Sequence, residues 1–302
     1  MTASSVSSAG STSIFEVAAV SVVIPHYEDL ANLDLCLAAI ALQTFTDFEV
    51  IVADNASPCG EAAVAALVAT RFVRRGRVVV ALEKGAGAAR NAGVAEATAS
   101  ILAFTDADCV PDAGWLAAGV AALESADLVG GAMRVSVADE AALTPAEAFE
   151  RVFAFDNKSY VEDKGFSVTA NLFTWSHVFA AVGGFRAHVS EDADWCLRAR
   201  DLGYHIAYAP EAIVAHSARR TWAQLTGKWE RLTREGAALH RARGGSAAAW
   251  QARAWLLPLS AVAHLPKVWR SPTLTRSRDR RAAAGMLIRL RLWRWGAARR
   301  AV

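Results

Sequence analysis

The sequence predicts an α/β protein in which a doubly wound, mostly parallel sheet is followed by a basic helical extension. Three observations carry this. Four short apolar runs alternate with helix-like stretches in the first 105 residues, the rhythm of right-handed β-α-β crossovers. Each run is apolar almost throughout, as strands covered on both faces are. Beyond Ala215, 17 Arg and two Lys face only Glu230, Glu235 and Asp279, so a basic tail follows an acidic body although the whole chain carries +2.

The elements follow in order. Strands are expected over residues 19–25, 48–53, 77–82 and 100–105, and helices over 29–42, 61–70, 86–97 and 114–123. Residues 170–185 read as a short strand or loop, then a helix closed by Gly183-Gly184. A helix over 191–202 has an acidic first turn and Arg198 and Arg200 later, an order that complements the helix dipole without any functional reason. Two short strands are expected at 205–208 and 213–216, and a helix over 221–243.

Composition bounds the class. With 302 residues, 54% hydrophobic and 21% charged, the chain suits one large domain with an appendage, and disorder is excluded for most of it. Cys36, Cys59, Cys109 and Cys196 form no CxxC pair, which argues against a zinc knuckle or a disulfide framework and for a reducing, cytoplasmic setting. Residues 1–18 carry no basic residue ahead of an apolar stretch and read as a disordered lead. The expected catalytic domain is then 19–217 and the Trp/Arg-rich helical extension 218–302.

In a parallel sheet, ligands bind beyond the carboxyl ends of the strands. The first strand is followed there by Pro25-His26-Tyr27-Glu28-Asp29, the second by Asp54-Asn55-Ala56-Ser57, the fourth by Asp106-Ala107-Asp108. Carboxylates gathered at three strand ends are costly unless a cation neutralises them. Asp106 and Asp108 suit a hard divalent ion, Mn2+ or Mg2+, with substrate phosphates completing the shell. The plainer alternative is a turn in which Asp108 or Asp112 caps the next helix. His216 ends a strand near the same crevice, as a metal ligand or a structural histidine.

Asp192, at an expected helix start beside Glu191 and Asp194, is placed to act as a general base; the alternative is a capped first turn with Ser190 as N-cap. Small residues around Arg90 and Asn91 let a phosphate approach helix amides, although the glycines do not fit G-x-G-x-x-G. Tyr27 can stack on a nucleobase with Asp54 accepting a hydrogen bond from it, or can simply pack on the sheet edge while Asp54 forms a turn.

Together the segments SVVIPHYED, EVIVADNAS, GAGAARNAG, ILAFTDADCVPDAGWL, GGF, SEDADWCLRARDLGY and YAPEAIVAHS resemble glycosyltransferase family 2, whose members have a GT-A fold. They occur in the family's order over residues 19–217. The resemblance implies a metal-dependent, inverting transfer of a hexosyl group from a nucleotide sugar, with UDP-sugar as the default donor, to an acceptor hydroxyl. It assigns Asp106 and Asp108 to the metal and nucleotide-sugar motif and Asp192 to the general base. Pro25, Tyr27, Glu28 and Asp54 match positions near the nucleoside, and Arg90 matches a phosphate-holding position. Asn171, Glu191 and Trp195 fall near the acceptor cleft. His26 stands in a slot that varies in the family and receives no role. The Gln-x-x-Arg-Trp motif of processive members is absent, so a single-sugar transfer is expected.

Two rivals are weaker. A sugar nucleotidyltransferase would place a Gly-rich basic loop after the first strand, where Pro25-His26-Tyr27-Glu28 stand. A non-catalytic binding or assembly subunit would be expected to lose Asp108 or Asp192, and both are present.

The tail suggests a partner. Residues 254–265 are apolar over about half a bilayer span and contain Pro258. Seven of the ten Trp follow Ala215, mixed with the arginines, which suits the anionic inner face of a membrane, although residues 281–300 do not separate into apolar and basic faces. A glycan or lipid-linked acceptor in cell-envelope or exopolysaccharide assembly follows from that reading. No recognised module for nucleic acid accompanies the charge.

Overall fold

The computed structural model describes residues 18–301, so the expected lead lies outside the described residues apart from Ala18. Strands β1 (Val20–His26), β2 (Phe48–Asp54), β3 (Gly76–Val80) and β4 (Ile101–Phe104) stand where the apolar runs place them. They pair in parallel in the order β3-β2-β1-β4. Helices α1 (Leu30–Ala41), α2 (Glu61–Ala69) and α3 (Ala86–Ala95) make the crossovers. Alternation across the pleat explains the unbroken apolar runs. Val22, Ile24, Val50 and Val52 enter one core, while Val23 enters the other beside Leu102 and Phe104. Part of the small-residue run at α3 is a packing device: a Cβ on Gly93 would lie 2.6 Å from Val23 Cγ1, so only glycine lets the helix lie this close to β1.

The chain continues through β5 (Cys109–Pro111), α4 (Trp115–Leu123), β6 (Leu128–Ser136), α5 (Pro145–Phe153), α6 (Asn157–Lys164), β7 (Leu172–Trp175), α7 (Ser176–Val182), α8 (Glu191–Asp201) and β8 (Ile206–Ser217). The sheet order becomes β3-β2-β1-β4-β7-β6-β8-β5, with β7 antiparallel to both neighbours and β5 antiparallel to β8. The sequence reading passes over β5, β6, α5 and α6. Gly130-Gly131 interrupts β6, and α6 (NKSYVEDK) is mostly polar, so neither shows a clear period.

The two strands expected at 205–208 and 213–216 are one strand, β8. Its pairing with β6 passes from Gly131↔Ala209 to Ala132↔Ile213, leaving Pro210-Glu211-Ala212 as a bulge. Asn171 holds that bulge. Its Nδ2 donates to the carbonyls of Ala132 and Ala212 at 2.9 and 2.8 Å, and its Oδ1 accepts from Trp115 Nε1 at 2.9 Å.

The C-terminal extension consists of α9 (Trp222–Ala242), α10 (Ala247–Trp255), α11 (Leu257–Arg270) and α12 (Ser277–Arg300). Leu225, Ala261, Val268, Leu287 and Leu290 form a second core with Phe149 and Val152 of α5. The extension is thus docked on a helix that precedes it by seventy residues in sequence, rather than appended to β8 alone. Arginines of α12 stack on tryptophans of the neighbouring helices: Arg289 on Trp222 of α9 at 4.0 Å, Arg294 on Trp229 of α9 at 4.0 Å and Arg299 on Trp255 of α10 at 4.5 Å. The side of α12 that faces α9 and α10 therefore carries arginines, and no clean apolar face appears in its sequence.

Candidate active site

The carboxyl ends of β1, β2 and β4 open into a cavity of about 500 Å3. Its walls include Pro25, His26, Tyr27, Arg90, Asp106, Asp108, Glu191, Asp192 and His216, so strand ends far apart in sequence meet there as the parallel topology requires. Helix α9 covers the cavity with Lys228, Arg231 and Leu232, and Arg219 joins them from the loop before it.

Asp106 and Asp108 sit in the turn between β4 and β5, and ligand atoms of Asp106, Asp108 and Cys109 lie within 4.8 Å of one another. His216 Nε2 lies 3.3 Å from Asp108 Oδ2, because β8 pairs with β5 in the register Cys109↔His216. Burial opposes ionisation of Asp108, but the His216 hydrogen bond and charge and the Arg219 charge outweigh it and hold the carboxyl below its ordinary range. Cys109 differs: burial first, then Asp106 and Asp108, push its thiol well up, so it stays protonated and is a poor ligand. Two hard carboxylates and an imidazole are a donor set that fits a divalent cation such as Mn2+ or Mg2+. The capping alternative for Asp108 and Asp112 does not hold, since Gly114 is the N-cap of α4 and no side chain caps it.

Arg90 ties this turn to α8. Its guanidinium bonds Asp106 and, at 3.1 Å, Glu191 Oε1, while its Nε has no partner among the described residues. Burial would lower its pKa, yet Asp106 and Glu191 outweigh that and keep it cationic. The sequence assigns Arg90 to substrate phosphates; here it organises the two acidic segments.

Asp192 begins α8. Its Oδ1 accepts from Ala193 N–H at 2.7 Å and Ser190 Oγ at 3.1 Å, so Ser190 bonds the carboxylate and caps no helix amide. Burial, reinforced by Glu191, raises the Asp192 pKa above its ordinary value. The helix dipole, which the sequence sets against Glu191, is outweighed. A carboxylate of raised basicity that lines the same cavity as a carboxylate–imidazole cluster is suited to remove a proton from a hydroxyl.

Several expected residues sit elsewhere. Asn171 and Trp195 are each fully buried, and neither reaches the cavity. Asn171 holds the β6/β8 bulge, while Trp195 stacks on Phe179 at 5.4 Å and donates Nε1 to Gly183 O at 2.8 Å. The expectation that they line an acceptor cleft is corrected, because both face the sheet's interior. Glu28 is exposed with φ 62°, its N–H donating to Ser57 Oγ at 2.9 Å, and its side chain does not line the cavity. Asp54 is 1% exposed behind His26, and its oxygens accept from Ser57 N at 3.0 Å, from Ser57 Oγ and from His26 Nδ1 at 2.9 Å.

Sequence reasoning missed Lys228 and Arg231. Their only signal was the charge of residues 221–243. Lys228 and Arg219 both pair with Glu150 of α5, which is 1% exposed.

The twisted sheet, with its carboxylates at the strand ends and a helical layer over them, defines a GT-A glycosyltransferase. The chain belongs to glycosyltransferase family 2: the profile described as Glycosyl transferase family 2 matches residues 21–187. It is 34% identical over 206 residues to glycosyltransferase AglE of Haloferax volcanii, covering 66% of this chain and 67% of that protein. It is also 32% identical over 156 residues to the pre-mycofactocin glycosyltransferase of Mycobacterium tuberculosis, covering 46% of this chain and 32% of that one. Among solved structures, the mannosyltransferase PcManGT of Pyrobaculum calidifontis, in complex with GDP-Man and Mn2+, shares the fold. Its TM-score is 0.57 at 18% identity, over 95% of this chain and 74% of the other.

Proposed function

We propose that this enzyme transfers one sugar from a nucleoside-diphosphate sugar to an acceptor hydroxyl, with inversion at the anomeric carbon. The observation that carries the reading is that Asp192, of raised basicity, shares one cavity with Asp106, Asp108 and His216. In a single displacement, the Asp192 carboxylate takes the acceptor O–H proton as that oxygen attacks, and the donor diphosphate departs from the opposite face. Asp108, His216 and Asp106 would hold Mn2+ or Mg2+, which when bound offsets the charge that develops on the departing diphosphate. Tyr27 borders the nucleoside end, and Arg90 fixes Asp106 and Glu191 relative to each other. Uridine is the proposed donor base, on the family resemblance.

Calorimetric titration of a nucleotide-sugar panel, with and without Mn2+, tests this. One donor is expected to bind only with metal, and Asp108→Ala to weaken that binding at least about tenfold, the loss of one charged ligand interaction. A folded protein that binds no donor, or binds one equally well without metal and in Asp108→Ala, overturns the reading.

The acceptor is proposed to be a glycan or lipid-linked hydroxyl at an anionic membrane surface, within envelope or exopolysaccharide assembly. No helix among the described residues is long and apolar enough to cross a membrane. Leu256, Leu259 and Val262 stand exposed at three-residue intervals along α11 and the residue before it, with Trp269 exposed two turns further on and Arg270 at the end. An apolar row beside cations complements an anionic bilayer surface. Leu259→Glu with Val262→Glu is expected to abolish co-sedimentation with anionic liposomes; equal pelleting of both proteins would sink the membrane reading.

A further inference from the structure

A second cavity, of about 180 Å3, adjoins the first, and the mechanism above does not use it. The two share Ala86, Glu191 and Arg231 in their walls, and none of Asp106, Asp108 and His216 lines the second. It therefore opens off the first cavity at Glu191, beside the residue that carries the proposed base and away from the metal cluster. Three parts of the chain build it. Lys84 and residues 85–88 come from the loop into α3, Arg186 from the loop before α8, and Arg231, Arg234 and Glu235 from α9. Arg231 and Arg234 stand three apart, so one face of α9 carries both.

The positive charge of this wall is uncompensated. Arg231 and Arg234 form no ion pair among the described residues. Arg186 comes no nearer than 3.8 Å to Asp194 Oδ1, and Lys84 Nζ bonds only backbone carbonyls, that of Asn55 at 2.9 Å. Of the two acids in the wall, Glu191 is taken by Arg90 at 3.1 Å. Burial, with Glu191 and Asp192 adding to it, pushes the Glu235 carboxyl up to about 7 against the pull of Arg231 and Arg234. Four cations thus stand against one part-ionised acid near neutral pH. The start of α3 adds its amides, since Gly85 is the N-cap and no side chain caps the helix.

The arrangement of the charge selects the ligand. One arginine fork satisfies a carboxylate, whereas a phosphate takes several donors from different directions. Cations from three parts of the chain, with helix amides among them, suit the phosphate. The donor's diphosphate does not account for them. In the transfer reading it belongs at Asp106, Asp108 and His216, beneath Arg219 and Lys228, and none of these five lines the second cavity.

We infer that the second cavity holds a phosphate group carried by the acceptor, which makes the acceptor a sugar phosphate, free or ester-linked to a lipid. This rests on the transfer reading and narrows its acceptor. The hydroxyl presented to Asp192 belongs to the sugar next to that phosphate, because Glu191, common to both walls, adjoins the base in the chain.

Calorimetry at about pH 8, where Glu235 is mostly charged, tests this with three probes. They are glucose, glucose 1-phosphate, and glucose joined through a diphosphate to a short prenyl chain. At least one phosphorylated probe is expected to bind at least about tenfold more tightly than glucose. The gain should be the same with and without Mn2+, since no residue of the metal cluster lines this cavity. Arg234→Gln should remove it without changing the melting temperature, because Arg234 is exposed and lines only the second cavity. Glu235→Gln should strengthen it, because a negative charge leaves the wall; a residue needed only for packing would not act in that direction. Equal binding of the two phosphorylated probes assigns the phosphate to a free sugar phosphate. Tighter binding of the prenyl-linked probe assigns it to the lipid-linked form, and either result supports the site. If neither phosphorylated probe exceeds glucose, the inference is overturned. A gain that survives Arg234→Gln, falls in Glu235→Gln or requires Mn2+ overturns it as well. A protein that binds these probes but no nucleotide sugar sinks the transfer reading and the acceptor assignment with it. Nucleotide-sugar binding without phosphate binding sinks this inference alone.

Discussion

Asp192→Asn is expected to lower kcat about a thousandfold, within the range assigned to a positioned general base, while leaving the KM for donor nearly unchanged. The amide oxygen can keep the bonds from Ala193 N–H and Ser190 Oγ, so the start of α8 should be preserved. Two further readouts separate a base from a merely structural residue. First, kcat/KM of the unsubstituted enzyme should fall as pH drops through a value above the ordinary carboxylate range, because burial and Glu191 raise the Asp192 pKa. That acid limb should be missing from the residual activity of the variant. Second, the sign of the stability effect is fixed. A carboxyl whose pKa is raised on folding favours the folded state below its unfolded pKa, and that contribution is lost as pH rises through the folded value. Above that value Asp192→Asn should melt no lower than the unsubstituted protein, and a modest rise would mark stability relinquished for function. A large loss of melting temperature with little loss of kcat would assign Asp192 a structural role instead.

Glu150→Ala should have the largest effect on stability, about 3–5 kcal/mol as for other broken buried pairs. Glu150 accepts from Arg219 N–H at 2.7 Å, from Arg219 Nη1 at 3.3 Å and from Lys228 Nζ at 2.9 Å, joining α5 to the roof of the cavity. Burial disfavours its charge, but Lys228 and Arg219 outweigh that and hold its carboxyl below the ordinary range. Lys228 shows the reverse balance: burial lowers its pKa despite Glu150. Removing the carboxylate leaves a buried ammonium with no anion beside it. Adding Lys228→Met should recover part of the loss, because replacing both partners by apolar groups removes the uncompensated charge. Urea unfolding of the three variants decides this; a change under about 1 kcal/mol for Glu150→Ala would show that the pair is effectively solvated.

The expectations about the fold succeeded where the signal was local and failed where it was not. Val/Ile runs with no alternation can only be strands covered on both faces, so β1, β2 and β4 were legible. That Asp106 and Asp108 line the cavity was legible for the same reason: in a parallel sheet, chain order alone brings strand ends to one edge. Strand β6, broken by Gly130-Gly131, offered no such run. Nor could the sequence show that residues 205–217 form one strand, since the bulge at Pro210-Glu211-Ala212 is bridged by Asn171, some forty residues upstream.

Side-chain direction divides what each level decided. The sequence by itself determined the order of strands and crossovers, the acidic ends of β1, β2 and β4, and the separation of an acidic body from a basic tail. The tertiary structure alone decided which polar groups face the cavity. Asn171, and Trp195 within a motif that resembles the family's, turn inward because carbonyls and aromatic rings distant in sequence complete their contacts. Lys228 and Arg231 turn toward the cavity because α9 is held over the strand ends by Glu150. Asp54 stays out of the cavity lining because the β1/β2 register sets it against His26, whose buried ring bonds it through Nδ1. Backbone periodicity is written locally in the chain, whereas the partner that fixes a polar side chain lies wherever the fold brings it.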